Sequence, residues 1–162
     1  MKTEKKIIIF IGPPGSGKDT QADIIGGKLN FFRLRTSKLL EEKFRNVKPE
    51  DLDYDMLIKE KENWESGKLN TPQWVTSVVM DKMDELSRNK QGIIFSASPR
   101  TLIEAKEEMP KLEDLYGKDA IIVFHINLGE EESIRRNSTR SVCETGHPVA
   151  PNLAKKGVKT CP

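Results

Sequence analysis

The sequence predicts an α/β protein built on a parallel sheet, and three observations carry that reading. The run Ile7-Ile8-Ile9-Phe10-Ile11 is unbroken, apolar and mostly β-branched, as a central strand buried on both faces requires. Apolar runs then alternate with segments of helical spacing along the chain. A glycine-rich turn, Gly12 to Gly17, separates the first run from the first helical segment.

The elements follow in order. Ala22, Ile25 and Leu29 stand at helical spacing, so Lys18 to Asn30 is read as a helix. Phe31 to Leu34 is a short second strand. Val75, Val78, Val79, Met83 and Leu86 mark an amphipathic helix. Gly92 opens a third strand, Ile93-Ile94-Phe95. Leu102, Ala105, Met109, Leu112 and Leu115 mark the next helix, and Pro110 is expected to kink or end it. Ala120 to Ile126 reads as a fourth strand and Glu130 to Arg140 as the last helix. Residues 37–70 carry charged helical segments with few strand signals, which suits a helical insertion. Residues 141–162 are rich in Gly, Pro, Lys and Asn and read as a loop. The chain stops inside that loop, so it is expected to be a piece of a longer domain. The division expected is a core of 1–36 and 71–140, an insertion of 37–70 and a partial lid of 141–162.

Composition excludes several classes. No apolar run approaches the roughly 18 residues of a membrane helix, and Ile7–Ile11 lacks the length and cleavage site of a secretory leader. The charge balance, 27 Lys+Arg against 25 Asp+Glu, lacks the basic excess of a nucleic-acid binder. Two cysteines make no disulfide framework. The expectation is a cytoplasmic, monomeric protein with neither nucleic acid nor membrane as partner.

The sharpest motif is Gly12-Pro13-Pro14-Gly15-Ser16-Gly17-Lys18-Asp19-Thr20, placed between a strand and a helix. Glycines let the backbone wrap a phosphate with its N–H groups turned inward. The helix N-terminus adds partial positive charge. Lys18 would reach the β- and γ-phosphates, and Thr20 would place its hydroxyl on Mg²⁺. The usual motif has Ser or Thr directly after the Lys; here Asp19 intervenes.

From Gly12 to Ala22 the text GPPGSGKDTQA resembles the nucleoside monophosphate kinases of the adenylate kinase family. Thr36, preceded by Arg35, falls where that family holds the acceptor monophosphate. Gly67-Lys68-Leu69 resembles the family's acceptor-binding insertion. Pro99-Arg100-Thr101 resembles the end of its Asp-Gly-Phe-Pro-Arg-Thr segment after strand three. Arg136 and Arg140 resemble the two arginines that open its lid. The resemblance implies a three-layer P-loop fold: a five-stranded parallel core with helices on both faces, the insertion and a lid. It also implies transfer of the ATP γ-phosphoryl group to a nucleoside monophosphate, with Mg²⁺. Arg100 would grip the acceptor phosphate with its fork. Arg136 and Arg140, four apart on one helical face, would close over the ATP phosphates or stack on the base; a solvated face with Glu132 paired to Arg136 is the alternative.

Several positions depart from the family. Its Asp in the strand-three segment is Ser96, in Ser96-Ala97-Ser98-Pro99-Arg100. The Asp orders Mg²⁺ through its waters, and Asp19 is a candidate to replace it. A family Arg that contacts the acceptor phosphate is Glu41, with Arg33, Arg35 and Arg45 as candidate substitutes. Glu104 occupies the place of a Gln that reads adenine. A carboxylate only accepts, which suits the donor edge of guanine, so GMP joins AMP as an expected acceptor; the alternative is a solvated helix start, Glu104 to Glu108. The insertion is about six residues longer than usual. Cys143, His147 and Cys161 stand near the positions of a lid zinc site in some family members. They supply three ligands of the four that a structural Zn²⁺ takes; the alternative is two reduced thiols on a loop. The second functional reading is a P-loop protein that binds nucleotide with weak or no turnover, favoured by Ser96 and Glu41. A P-loop kinase of another metabolite is a third.

Overall fold

A computed structural model describes residues 6–139 and the strand pair Ser141–Val142 and Pro148–Val149. Four parallel strands are found among them: β1 (Ile7–Ile11), β2 (Phe32–Leu34), β3 (Ile93–Phe95) and β4 (Ile121–His125), in the order β2-β3-β1-β4. The helices are α1 (Lys18–Leu29), α2 (Thr36–Arg45), α3 (Tyr54–Glu65), α4 (Pro72–Arg88), α5 (Leu102–Tyr116) and α6 (Glu130–Ser138). The chain divides into two units. One comprises residues up to Ile11 and Asp19–His125; the other comprises Gly12–Lys18 and the chain from Ile126 onward.

The larger unit is organised by β1. Ile7, Ile8, Ile9 and Phe10 are all buried. Successive strand residues point to opposite faces, so four buried in a row means that both faces are covered. Ile7 to Ile9 pair with Ile93 to Phe95 on one side, and Ile7 to Ile11 pair with Ile121 to His125 on the other. On β4, Phe124 stacks on Phe10. The core continues through Val78, Val79, Met83 and Leu86 of α4, the face that the periodicity marks. Phe44 of α2 stacks on Trp74 of α4 and meets Trp64 of α3, so both tryptophans are packing residues. The insertion between β2 and β3 is helical, as its composition implies, and holds α2 and α3.

A buried carboxylate ties α3 to the segment that follows it. Glu60 is 2% exposed. Asn70 Nδ2 and the Thr71 backbone N–H donate to its Oε2 at 2.9 and 3.0 Å, and the Thr71 hydroxyl donates to Oε1. Burial alone would raise this carboxyl, but the donors of Thr71 and Asn70 hold it below the usual range. The Gly67-Lys68-Leu69 turn is thereby anchored at its exit, with Gly67 at φ +73° where only glycine is unstrained.

Four local expectations change. Pro110 lies inside α5, which runs on to Tyr116. Pro costs a helix interior about 3 kcal/mol, but the turn beyond it carries Leu112, fully buried, with Leu115 and Tyr116 against the core. Continuing the helix recovers that burial. Leu29 is half exposed, and α1 packs instead through Ala22 and Gly26. Glu108, on the helix start read as solvated, is 1% exposed. Residues 141–162, read as loop, include a short antiparallel pair, Ser141–Val142 with Pro148–Val149.

Leu112 has no exposed surface. Leu112→Ala is expected to cost about 2–5 kcal/mol, read as a lower urea midpoint at unchanged slope.

Candidate functional site

The phosphate loop belongs to the smaller unit, and its shape follows from its glycines. Gly12, Gly15 and Gly17 have φ of +152°, +77° and +87°, which side chains resist. A Cβ on Gly12 would lie 2.5 Å from the Ile126 carbonyl oxygen, so size as well as φ selects glycine there. The Ser16 backbone N–H donates to the Pro13 carbonyl at 3.2 Å. Lys18 Nζ curls back and donates to the Gly12 and Pro13 carbonyls at 2.8 and 2.9 Å. An ammonium is therefore held over the turn at the first residue of α1. The Ser16 hydroxyl is buried without a hydrogen-bond partner, as is the Nε of Arg33, and a buried polar group of this kind needs one.

Within the same unit α6 brackets the loop. Ser133 Oγ donates to the Pro14 carbonyl at 2.8 Å, and Arg136 donates to the Gly15 carbonyl at 3.2 Å. Arg136 Nε also donates to Glu132 at 2.7 Å, the pairing that the four-residue spacing allows, and Arg135 shares that carboxylate. Hydrogen bonds from Arg135 and Arg136 pull Glu132 down to about 2. Arg140, Cys143, His147 and Cys161 lie outside the described residues, and with them the zinc expectation. Among the described residues no group of three or more His, Cys, Asp or Glu is placed to hold a metal ion.

The larger unit gathers a second set at the C-terminal end of β3. Ser96 Oγ donates to Asp19 Oδ1 at 2.8 Å. Arg33 donates to Ser96 Oγ at 3.0 Å and pairs with both Asp19 and Asp23, while Arg35 donates to Asp23 at 2.9 Å. The Arg33 side chain is 11% exposed; burial and the nearby Arg35 lower its pKa, against the pull of Asp19. A carboxylate thus stands beside Ser96 after all, supplied by α1. Sequence reading missed the central role of Arg33, because its partners lie 10, 14 and 63 residues away. Thr36 opens α2, with Arg35 as its N-cap. Leu69 is 94% exposed. Glu41 pairs with Lys38 at 2.9 Å.

The segment after β3 is held by α5. The Ser98–Pro99 peptide is cis. Glu104 Oε2 accepts from the Arg100 backbone N–H at 2.6 Å, while the Thr101 hydroxyl caps the Glu104 N–H at 3.2 Å. This reciprocal arrangement is close to a capping box. Arg100 Nε bonds the Ala97 carbonyl, and the Arg100 side chain is exposed. One turn after Glu104, Glu108 receives the Ser98 hydroxyl at 2.6 and 2.7 Å. Burial first, then the charges of Glu104 and Glu107, raise Glu108 to about 7, against the hydrogen bond from Ser98.

A glycine loop between a buried parallel strand and a helix, with its lysine folded over the turn, defines an α/β P-loop protein. A family model described as an AAA domain matches residues 11–146. Curated relatives are adenylate kinases. That of Mycoplasma capricolum is 35% identical over 84% of this chain and 59% of its own length. That of Borrelia turicatae is 30% identical over 85% and 60%, and that of Leptospira biflexa 31% identical over 86% and 70%. The chain belongs to the adenylate kinase family. It spans about three fifths of the length of the first two of these relatives. No helix among the described residues is long and apolar enough to cross a membrane.

Two outcomes are expected. Gly12→Ala, which strains the turn by about 1–3 kcal/mol and sets a Cβ 2.5 Å from the Ile126 carbonyl oxygen, is expected to lower the urea midpoint at unchanged slope. Glu108 binds its proton more tightly folded than unfolded, so its contribution to stability is full below the unfolded value and is lost as pH rises through about 7. Glu108→Gln should therefore melt several degrees above the parent at pH 8 and close to it at pH 5.

Proposed function

We propose that the chain carries the ATP-binding and acceptor-binding parts of a nucleoside monophosphate kinase. The observation that carries this reading is the Gly12–Lys18 loop, with three positive-φ glycines, an orphan buried hydroxyl and a folded-over lysine. An anion bound there would take the loop N–H groups and draw Lys18 from the Gly12 and Pro13 carbonyls onto phosphate oxygens. The backbone of Gly12, Pro13, Gly15, Ser16 and Gly17 would shape the ATP phosphate site, and Arg136 would close it.

The reaction moves one phosphoryl group. An oxygen of the monophosphate bonds to the γ-phosphorus, the bond from the γ-phosphorus to the β,γ-bridging oxygen breaks, and ADP leaves with a nucleoside diphosphate as co-product. The attacking phosphate is already anionic, so no general base is needed. Positioning and charge neutralisation do the work. Arg100, exposed at the C-terminal end of β3, is the proposed clamp on the acceptor phosphate, where ligands bind in open α/β sheets. Thr36, Arg35 and Leu69 complete the proposed acceptor site. AMP is the acceptor expected from the relatives' name. Glu104 is committed by one oxygen to the Arg100 N–H, so its reading of a guanine edge is tested by offering GMP beside AMP.

Mg²⁺ travels with ATP and would spread the charge of the transferring group. The hydroxyl of Thr20 and the carboxylate of Asp19 are hard oxygen donors of the kind it takes, and such sites need only one or two protein groups. Asp19 is 61% exposed and already anchored to Ser96, so its carboxylate is proposed for the role that the family gives to the Asp missing at position 96.

Product analysis with ATP·Mg²⁺ and AMP, GMP, CMP, UMP and dTMP in turn tests the reading. One diphosphate product is expected, with Lys18→Met roughly 100-fold slower or worse, the scale on which single charge-stabilising donors act. Binding of ATP with no product from any acceptor would instead favour a nucleotide-binding role.

A further inference from the structure

Among the described residues, Glu108 is a buried ionisable group that the phosphate loop and the Arg33 cluster leave unused. Glu108 lies in α5, 1% exposed, with both carboxyl oxygens on one serine hydroxyl. That serine is the second residue before Arg100. Two carboxyls one helical turn apart therefore hold the Ser98-Pro99-Arg100 segment from one face of α5: Glu108 through the Ser98 side chain and Glu104 through the Arg100 backbone.

We propose that Glu108 is a positioning residue for Arg100: its carboxyl, through Ser98, sets the conformation of the 97–100 segment and changes it when it gains or loses a proton. That this segment clamps an acceptor phosphate rests on the kinase reading above.

The chemistry of the pair supports a proton-dependent hold. A neutral carboxyl can donate to the Ser98 oxygen while accepting from the Ser98 hydroxyl, so both short contacts are satisfied. An ionised carboxylate has two accepting oxygens and one shared hydroxyl hydrogen. It is then an under-bonded anion away from water, which is costly unless the segment moves. The charges around it add to that cost. Glu104 and Glu107 on its own helix are both negative. On α4, packed against α5, Asp84 is paired with Lys111 at 2.7 Å. The turn at Lys118–Ala120 presents Lys118 and Asp119 at the surface, and β4 is apolar up to His125. On the segment itself, the Arg100 guanidinium is turned to the Ala97 carbonyl. Burial and these charges together raise Glu108 to about 7.

Backbone amide shifts of Ala97 and Arg100, followed by NMR from pH 5 to 9 on the full chain, test this. Both amides should move with one shared midpoint near neutral pH in the parent. Glu108→Gln, which keeps shape and hydrogen bonding, should flatten that transition while leaving the amides of β1 and β3 in place. Ser98→Ala should leave the Glu108 carboxyl carbon titrating but uncouple it from Arg100. AMP affinity should then be at least fivefold tighter at pH 6 than at pH 8 once the phosphate's own ionisation is subtracted using Arg100→Ala, and this excess should vanish in Glu108→Gln. Flat amides in the parent, or a transition that survives Glu108→Gln, would overturn the proposal. A Glu108-dependent amide transition with no AMP bound at any pH keeps the positioning role and removes the acceptor reading.

Discussion

Burial of β1 on both faces is the constraint on which the larger unit depends. Ile7 to Phe10 cannot face water on either side, so helices must cover both, and the strand takes a partner along each edge. Parallel partners need crossover connections, and these are where α1 to α5 belong. The same strand runs straight into Gly12. A stiff buried strand followed at once by positive-φ glycines makes a turn whose N–H groups have no ladder to join, and an anion is what such a turn accommodates.

A second theme is the use of carboxylates inside the larger unit. Glu60 and Glu108 are both nearly inaccessible, yet their environments differ in one respect that decides their charge. Glu60 has three donors from Asn70 and Thr71, enough to keep it ionised despite burial. Glu108 has one hydroxyl and two acidic neighbours, so burial wins. The first is a fixed clasp on the insertion. The second is poised to change state under the segment that bears Arg100.

The departures from the family pattern take on meaning together. Ser96 removes a carboxylate from the end of β3, and Asp19 restores one beside it, steadied by Arg33. The hydroxyl of Ser98, two residues on, is the partner of Glu108. Each of these serines meets a carboxylate from a helix. Glu41 has no such compensation: it pairs with Lys38, one turn away on α2.

The strand β1, the phosphate loop and the face of α4 were legible in the sequence, because each is written in contiguous or periodic residues. β-branched runs, glycines at positive φ and helical spacing act over a few residues, and no distant partner is needed to read them. Tertiary structure alone decided how far α5 continues past Pro110, since burial of Leu112 outweighs the local penalty. It alone decided that Glu108 lies inside and that Arg33 joins Asp19, Asp23 and Ser96. A polar side chain carries no local sign of its partner. Its burial, charge and role are set by groups brought to it from 10 to 77 residues away, once the sheet has formed.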